Sequence, residues 1–232
     1  MLFHRGRGWR RETMSRRTTK SVGCPHCGEH SDTQMYTTIN VTLDPKLRDR
    51  VMDETLFAWV CPHCGYEAML LYPFLYHDME HKFMIYLLPE QREPFFSVPD
   101  TERQFPELGD LKKRLAPDLN TLKEKILLFE EGLDDRASEL TKLALGRALS
   151  KRLHEPIQAG YFCLLDRETD QVGYSFFIPK RQEPIYQNTK IEVYDRSMDI
   201  ARRFGGILPT GFSIIDGAWA SETLQRYHNS MA

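Results

Sequence analysis

Apolar and polar positions alternate most clearly over Tyr36-Thr-Thr-Ile-Asn-Val-Thr-Leu43, rich in β-branched residues, and that period of two predicts a strand. Asp44-Pro45 then offers a helix N-cap and a first-turn proline, so a short helix is expected from Lys46 to about Asp53. Leu56 to Val60 returns to the strand pattern. Ala68 to Tyr76 and Lys82 to Leu88 predict a hairpin, with His77-Asp-Met-Glu-His81 as its turn. Tyr72, Phe74 and Tyr76 alternate along one arm, Phe83 and Tyr86 lie on the other, and Phe57 and Trp59 share the period. Without interleaved lysine or arginine, these rings are expected to pack in a core or interface rather than to stack on nucleic-acid bases.

Residues 91 to 109 carry Pro94, Pro99, Pro106 and Gly109 and read as a linker. Thr121-Leu-Lys-Glu124 matches a capping box, and Leu122, Ile126, Phe129 and Leu133 then share one helical face. Gly132 interrupts, and a second helix is predicted from Asp134 to about Leu153, making an α-hairpin. Tyr161 to Leu165 and Gly173 to Ile178 predict a β-hairpin around Asp166 to Gln171. Ile191 to Phe204 reads as an amphipathic helix capped by Gly205-Gly206, Phe212 to Ile215 as a short strand, and Trp219 to Tyr227 as a last helix.

Composition narrows the classes. The 232 residues are 41% hydrophobic and 28% charged, ordinary for a globular protein, with a net charge of −2. Seven of the 31 basic residues, but one of the 33 acidic ones, lie in the first twenty positions, which leaves 24 basic against 32 acidic residues beyond them. Residues 1–21 therefore form a basic, disordered leader in this reading, or an arm for nucleic acid, and Met14 offers an alternative start. No apolar run approaches the roughly 20 residues of a membrane helix, because Ala68 to Tyr76 is cut by Pro73. Arg5, Arg7, Arg10 and Arg11 occupy the place of a signal peptide's apolar stretch. A cytoplasmic location follows as the expectation, and there thiols stay reduced.

Cysteine usage is the most informative feature. Cys24-Pro-His-Cys-Gly28 recurs as Cys61-Pro-His-Cys-Gly65. Two residues between cysteines let one tight turn aim both sulfurs at a single ion; proline pre-sets the turn, and glycine after it tolerates positive φ. Two such turns supply Cys24, Cys27, Cys61 and Cys64, a closed tetrahedral shell for one structural Zn2+. The 33 residues between Cys27 and Cys61 hold strand, helix and strand, so a sheet must unite the turns, as in a zinc ribbon. Redox dithiols and four-cysteine iron remain the competing chemistries. His26 and His63 are expected to point to solvent, and Cys163 to be buried in its strand. The fold class expected is α+β: a zinc-ribbon-like antiparallel unit at 22–90, a linker at 91–118, a helical hairpin at 119–154 and a small α+β region at 155–232.

The two Cys-Pro-x-Cys-Gly motifs, with Ile39-Asn-Val41 and Tyr76-His-Asp78, resemble the CpXC family of bacterial and archaeal proteins over residues 22 to 90. Leu133 to Arg136 and Ile215 to Ala220 look like its longer members. The resemblance implies a zinc-binding domain without a characterised biochemical role, its motif cysteines falling on Cys24, Cys27, Cys61 and Cys64.

Other clusters carry weaker expectations. His77, Asp78 and His81 are a candidate second metal or acid–base site, set against a solvated hairpin turn. Glu130, Glu131, Asp134 and Asp135 are expected to be solvated and to favour the start of the second helix. The functional expectation is a non-catalytic protein-interaction or regulatory module with a protein partner and no membrane. Nucleic-acid binding through ribbon and leader is one alternative, and an enzyme centred on His77, Asp78 and His81 is the other.

Overall fold

The computed structural model describes residues 15–89, 111–179, 181–209 and 211–231. Among them five helices and three sheets make an α+β protein, and the chain divides into two compact units between Asp118 and Leu119.

In the first unit, strands β1 (Arg16–Gly23), β2 (His30–Asn40), β5 (Phe74–Asp78), β6 (Phe83–Leu87) and β7 (Lys112–Ala116) form one sheet in the order β1-β2-β5-β6-β7. The β1/β2 and β5/β6 pairs are antiparallel, but β2/β5 and β6/β7 are parallel, so the sheet is mixed. Between β2 and β5 the chain inserts helix α1 (Lys46–Met52) and a separate hairpin, β3 (Ala58–Val60) with β4 (Glu67–Met69). That crossover is long enough to bring β5 back alongside β2 in the same direction. The predicted arm from Ala68 to Tyr76 is thus two strands in two sheets, parted at Pro73, which has no N–H for a ladder.

The central strands β5 and β6 are buried on both faces, and Ile39, Phe74, Tyr76, Phe83, Ile85 and Leu87 are wholly excluded from solvent. Phe57, Tyr72 and Phe74 meet with centroids 5.6–6.3 Å apart, while Tyr76 stacks on Phe83 at 5.9 Å. The aromatic stripe is core packing.

Two strands contradict the sequence reading. β1 takes Arg16 to Ser21 from the segment read as a disordered leader, and β7 takes Lys112 to Ala116 from the one read as a linker. Neither shows the alternation that a half-buried strand needs; each is recruited by a neighbour's free edge. Pairing with β2 also lays the Arg17 guanidinium over the Tyr36 ring, 4.7 Å from its centre, a contact worth about 0.5–1 kcal/mol at an exposed site. The leader up to residue 14 and the linker's 91–110 lie outside the described residues.

The second unit holds a three-stranded antiparallel sheet, order β10-β9-β8, from β8 (Ala159–Asp166), β9 (Gln171–Phe177) and β10 (Ile185–Lys190). Its helices are α2 (Leu119–Glu130), α3 (Asp135–Leu153), α4 (Ile191–Phe204) and α5 (Gly217–Asn229). Phe212 to Ile215 is not a strand; it contributes a single bridge at Ser213. Helix α2 starts two residues before Thr121, so Thr121 and Glu124 do not form a capping box, and Glu124 is buried. Asp134 caps α3 by accepting from the Arg136 amide at 2.9 Å, and the Arg136 guanidinium beside it lowers the Asp134 pKa against its burial. Asp135 is not solvated: fully buried, it accepts from Lys125 Nζ at 2.9 Å, and the same ammonium donates to the Ile215 carbonyl at 2.9 Å. The two segments that resemble longer family members are therefore joined through one lysine.

Candidate metal centre

Each cysteine motif forms the tip of a hairpin. Gly23 pairs with His30 across the first and Val60 with Glu67 across the second. The two tips repeat one hydrogen-bond pattern. Cys24 N–H donates to the Glu29 carbonyl at 2.8 Å and Gly28 N–H to the Cys24 carbonyl at 2.9 Å; Cys61 to Tyr66 and Gly65 to Cys61 repeat those distances. Gly28 and Gly65 sit at φ +77° and +74°, left-handed values that a side chain would strain.

The tips bring the four sulfurs together. Cys24 Sγ lies 3.7 Å from Cys64 Sγ, Cys27 Sγ lies 3.8 Å from Cys61 Sγ, and all four fall within 4.8 Å of one another. Sulfurs bound at about 2.3 Å around a tetrahedral ion stand about 3.8 Å apart, which these cross-tip distances match. They are far longer than the roughly 2.05 Å of a disulfide bond. Cys24 and Cys61 are buried beside Trp59, with Val22, Ala68 and Leu70 against them; Cys27 and Cys64 face outward.

The protonation pattern also suits a cation. Burial opposes ionisation of Cys24, yet the amides of Cys27 and His26 and the neighbouring thiols bring it down to about 6. At Cys64 the Tyr66 amide favours the thiolate, but burial and the sulfurs of Cys27, Cys61 and Cys24 together push it up to about 12. At Cys27 the Glu29 amide and the Cys64 sulfur favour the thiolate, but burial and the sulfurs of Cys24 and Cys61 raise it overall. Ionisation of Cys27 and Cys64 is resisted where that of Cys24 is eased, and a cation among the sulfurs would relieve the resistance.

Residues beyond the four cysteines hold the hairpins in register. Trp59 Nε1 donates to Thr33 Oγ1 at 3.0 Å, and the His26 ring stacks on Tyr66 of the other tip, 5.5 Å between centroids and 3° between planes. His26 is exposed, as expected, with its ring alongside Tyr66 of the second tip. His63 Nε2 lies 3.4 Å from the His30 carbonyl, and His30 Nδ1 lies 3.3 Å from Ser21 Oγ. A side chain at Gly23 would press on the His30 ring at 3.1 Å. No spacing rule marks Trp59, Thr33, His26 or Tyr66; only the pairing of two distant hairpins reveals them.

The other candidates resolve differently. His77 and Asp78 are buried on β5, not solvated at the tip, because β5 lies between β2 and β6. Asp78 Oδ2 meets His81 Nδ1 at 2.7 Å, and Asp78 Oδ1 accepts from the His81 amide at 3.0 Å, which closes the turn. His77, next to Asp78 on a strand, points to the opposite face, and its Nε2 has no hydrogen-bond partner among the described residues. The three residues therefore do not converge. Cys163 is exposed, not buried, since the ladder shifts register between Phe162 and Leu164.

A family model described as CpXC protein matches residues 22–142. No curated protein and no solved structure matches the chain. The matched stretch contains both cysteine tips and continues to the middle of α3, just over half of the sequence; the chain belongs to the CpXC family.

Proposed function

We propose that Cys24, Cys27, Cys61 and Cys64 hold one zinc ion that cross-links the two hairpins, and that the protein acts as a cytoplasmic, non-catalytic interaction or regulatory module. The observation that carries the metal reading is the pair of cross-tip sulfur distances, 3.7 and 3.8 Å. Four thiolates complete a tetrahedral shell and leave no position for substrate, which favours a structural over a catalytic ion. When bound, the ion would neutralise thiolate repulsion and add its binding free energy to folding. The chain's own part is to present the sulfurs, donate amides to them and shield two of them under Trp59. No described helix is long and apolar enough to cross a membrane.

Elemental analysis of purified protein beside Cys61→Ser tests this. About one zinc per chain, lost with destabilisation in the variant, supports it. Iron in that stoichiometry would reassign the ion, because tetrahedral thiolate sites suit both. Metal-free protein whose thiols oxidise reversibly in pairs would replace the reading with redox chemistry. The partner reading fails if tagged full-length protein, metal-loaded, retains no protein that Cys61→Ser does not.

A further inference from the structure

Within the second unit, α3 faces the start of β8 and Phe176 of β9 across a cavity of about 610 Å3. That volume falls in the range of roughly 300–1,000 Å3 typical of small-molecule sites. Leu143, Pro156, Ile157, Ala159 and Phe176 supply its apolar wall. Glycine at 160 leaves room for the Phe176 ring, since a Cβ there would stand 2.7 Å from it.

Charge is distributed unevenly over this cavity. At its inner end Lys142 Nζ is saturated, 2.9 Å from both Glu124 oxygens and 2.8 Å from Glu139 Oε1, and Glu124 also accepts from the Phe162 amide at 2.7 Å. Burial, helped by the nearby Glu124 charge, raises the Glu139 pKa against the pull of Lys142. At the outer end Arg147 and Lys151 stand one turn apart on α3, both exposed, and neither has a carboxylate partner among the described residues. Gly217 brings the N-terminal, positive end of α5 to the same cavity, with Asp216 occupied in capping the Trp219 amide at 2.9 Å. Arg147 and Lys151, beside the apolar wall, are thus the cations of this cavity that no described carboxylate neutralises.

We propose that this cavity binds a small amphipathic organic anion, its apolar body against Leu143, Ile157 and Phe176 and its carboxylate or sulfonate between Arg147 and Lys151. The assignment is independent of the metal centre, which belongs to the other unit.

The test is a fluorescence titration of the full-length, metal-loaded protein with 8-anilinonaphthalene-1-sulfonate, folding being checked by near-ultraviolet circular dichroism. Saturable binding at one site per chain is expected. The double variant Arg147→Glu/Lys151→Glu should weaken it by about tenfold or more, while Arg203→Glu, on α4, should leave it unchanged. N-phenyl-1-naphthylamine, the same body without the sulfonate, should bind more weakly and ignore the charge reversal. Absence of saturable binding, or equal affinity in the folded double variant, would overturn the proposal.

Discussion

His77 offers a quantitative test of the central sheet. Its ring is buried on β5, its Nε2 has no partner among the described residues, and burial lowers its pKa from the usual 6.5 to about 4, against a smaller upward pull from Asp78. Between those two values the unfolded chain binds the proton that the folded protein excludes. Stability therefore rises with pH in that window: the contribution is fully present above about 6.5 and is lost as pH falls toward 4. At pH 5.0 the unfolded imidazole is almost wholly protonated and the folded one only about a tenth, so wild type should lose about 2 kcal/mol relative to pH 7.5 from this group alone. Replacing the ring by leucine removes the titration and leaves an apolar side chain where no hydrogen bond was made. Urea unfolding of wild type and His77→Leu at pH 7.5 and 5.0, followed by circular dichroism, isolates the effect, because acid release of a metal is common to both proteins. The pH-dependent loss should be smaller by about 2 kcal/mol in the variant. Equal losses in the two proteins would refute the argument that His77 is held neutral by burial.

Three further outcomes are expected. Stripping the metal with a chelator at neutral pH should shift tryptophan emission to the red, because Trp59 packs on Cys24 and Cys61; unchanged emission would mean the hairpin tips hold without an ion. Lys125→Met should cost about 3–5 kcal/mol in denaturant unfolding by removing the buried ammonium that faces Asp135, and Lys125→Met/Asp135→Leu should recover most of it. Gly28→Ala should cost about 1–2 kcal/mol through its φ of +77° alone, since no atom lies within 4 Å of the added Cβ, and competition with a chelator should show weaker metal retention.

Some of this protein was written locally. A repeated Cys-Pro-His-Cys-Gly carries its own turn, so the identity of the four clustered sulfurs needed no tertiary information. Helix α4 was legible residue for residue from its period, and the β8–β9 hairpin from alternation around a polar turn. Strands β1 and β7 were not, because Arg16-Arg-Thr-Thr-Lys and Lys112-Lys-Arg lack the apolar–polar alternation of a half-buried strand; the free edges of β2 and β6 recruit them. Glu124 shows the same limit on a side chain. Its spacing from Thr121 suits a cap, but α2 begins earlier and turns the carboxylate inward to Lys142 and the Phe162 amide. Sequence alone determines what a contact between near neighbours can satisfy: turns, caps, periodic faces and a ligand set. Only the tertiary structure decided which charges are buried, that His26 stacks on Tyr66, and that α3 shares a cavity with β8, since each depends on a partner brought close by folding rather than by the chain.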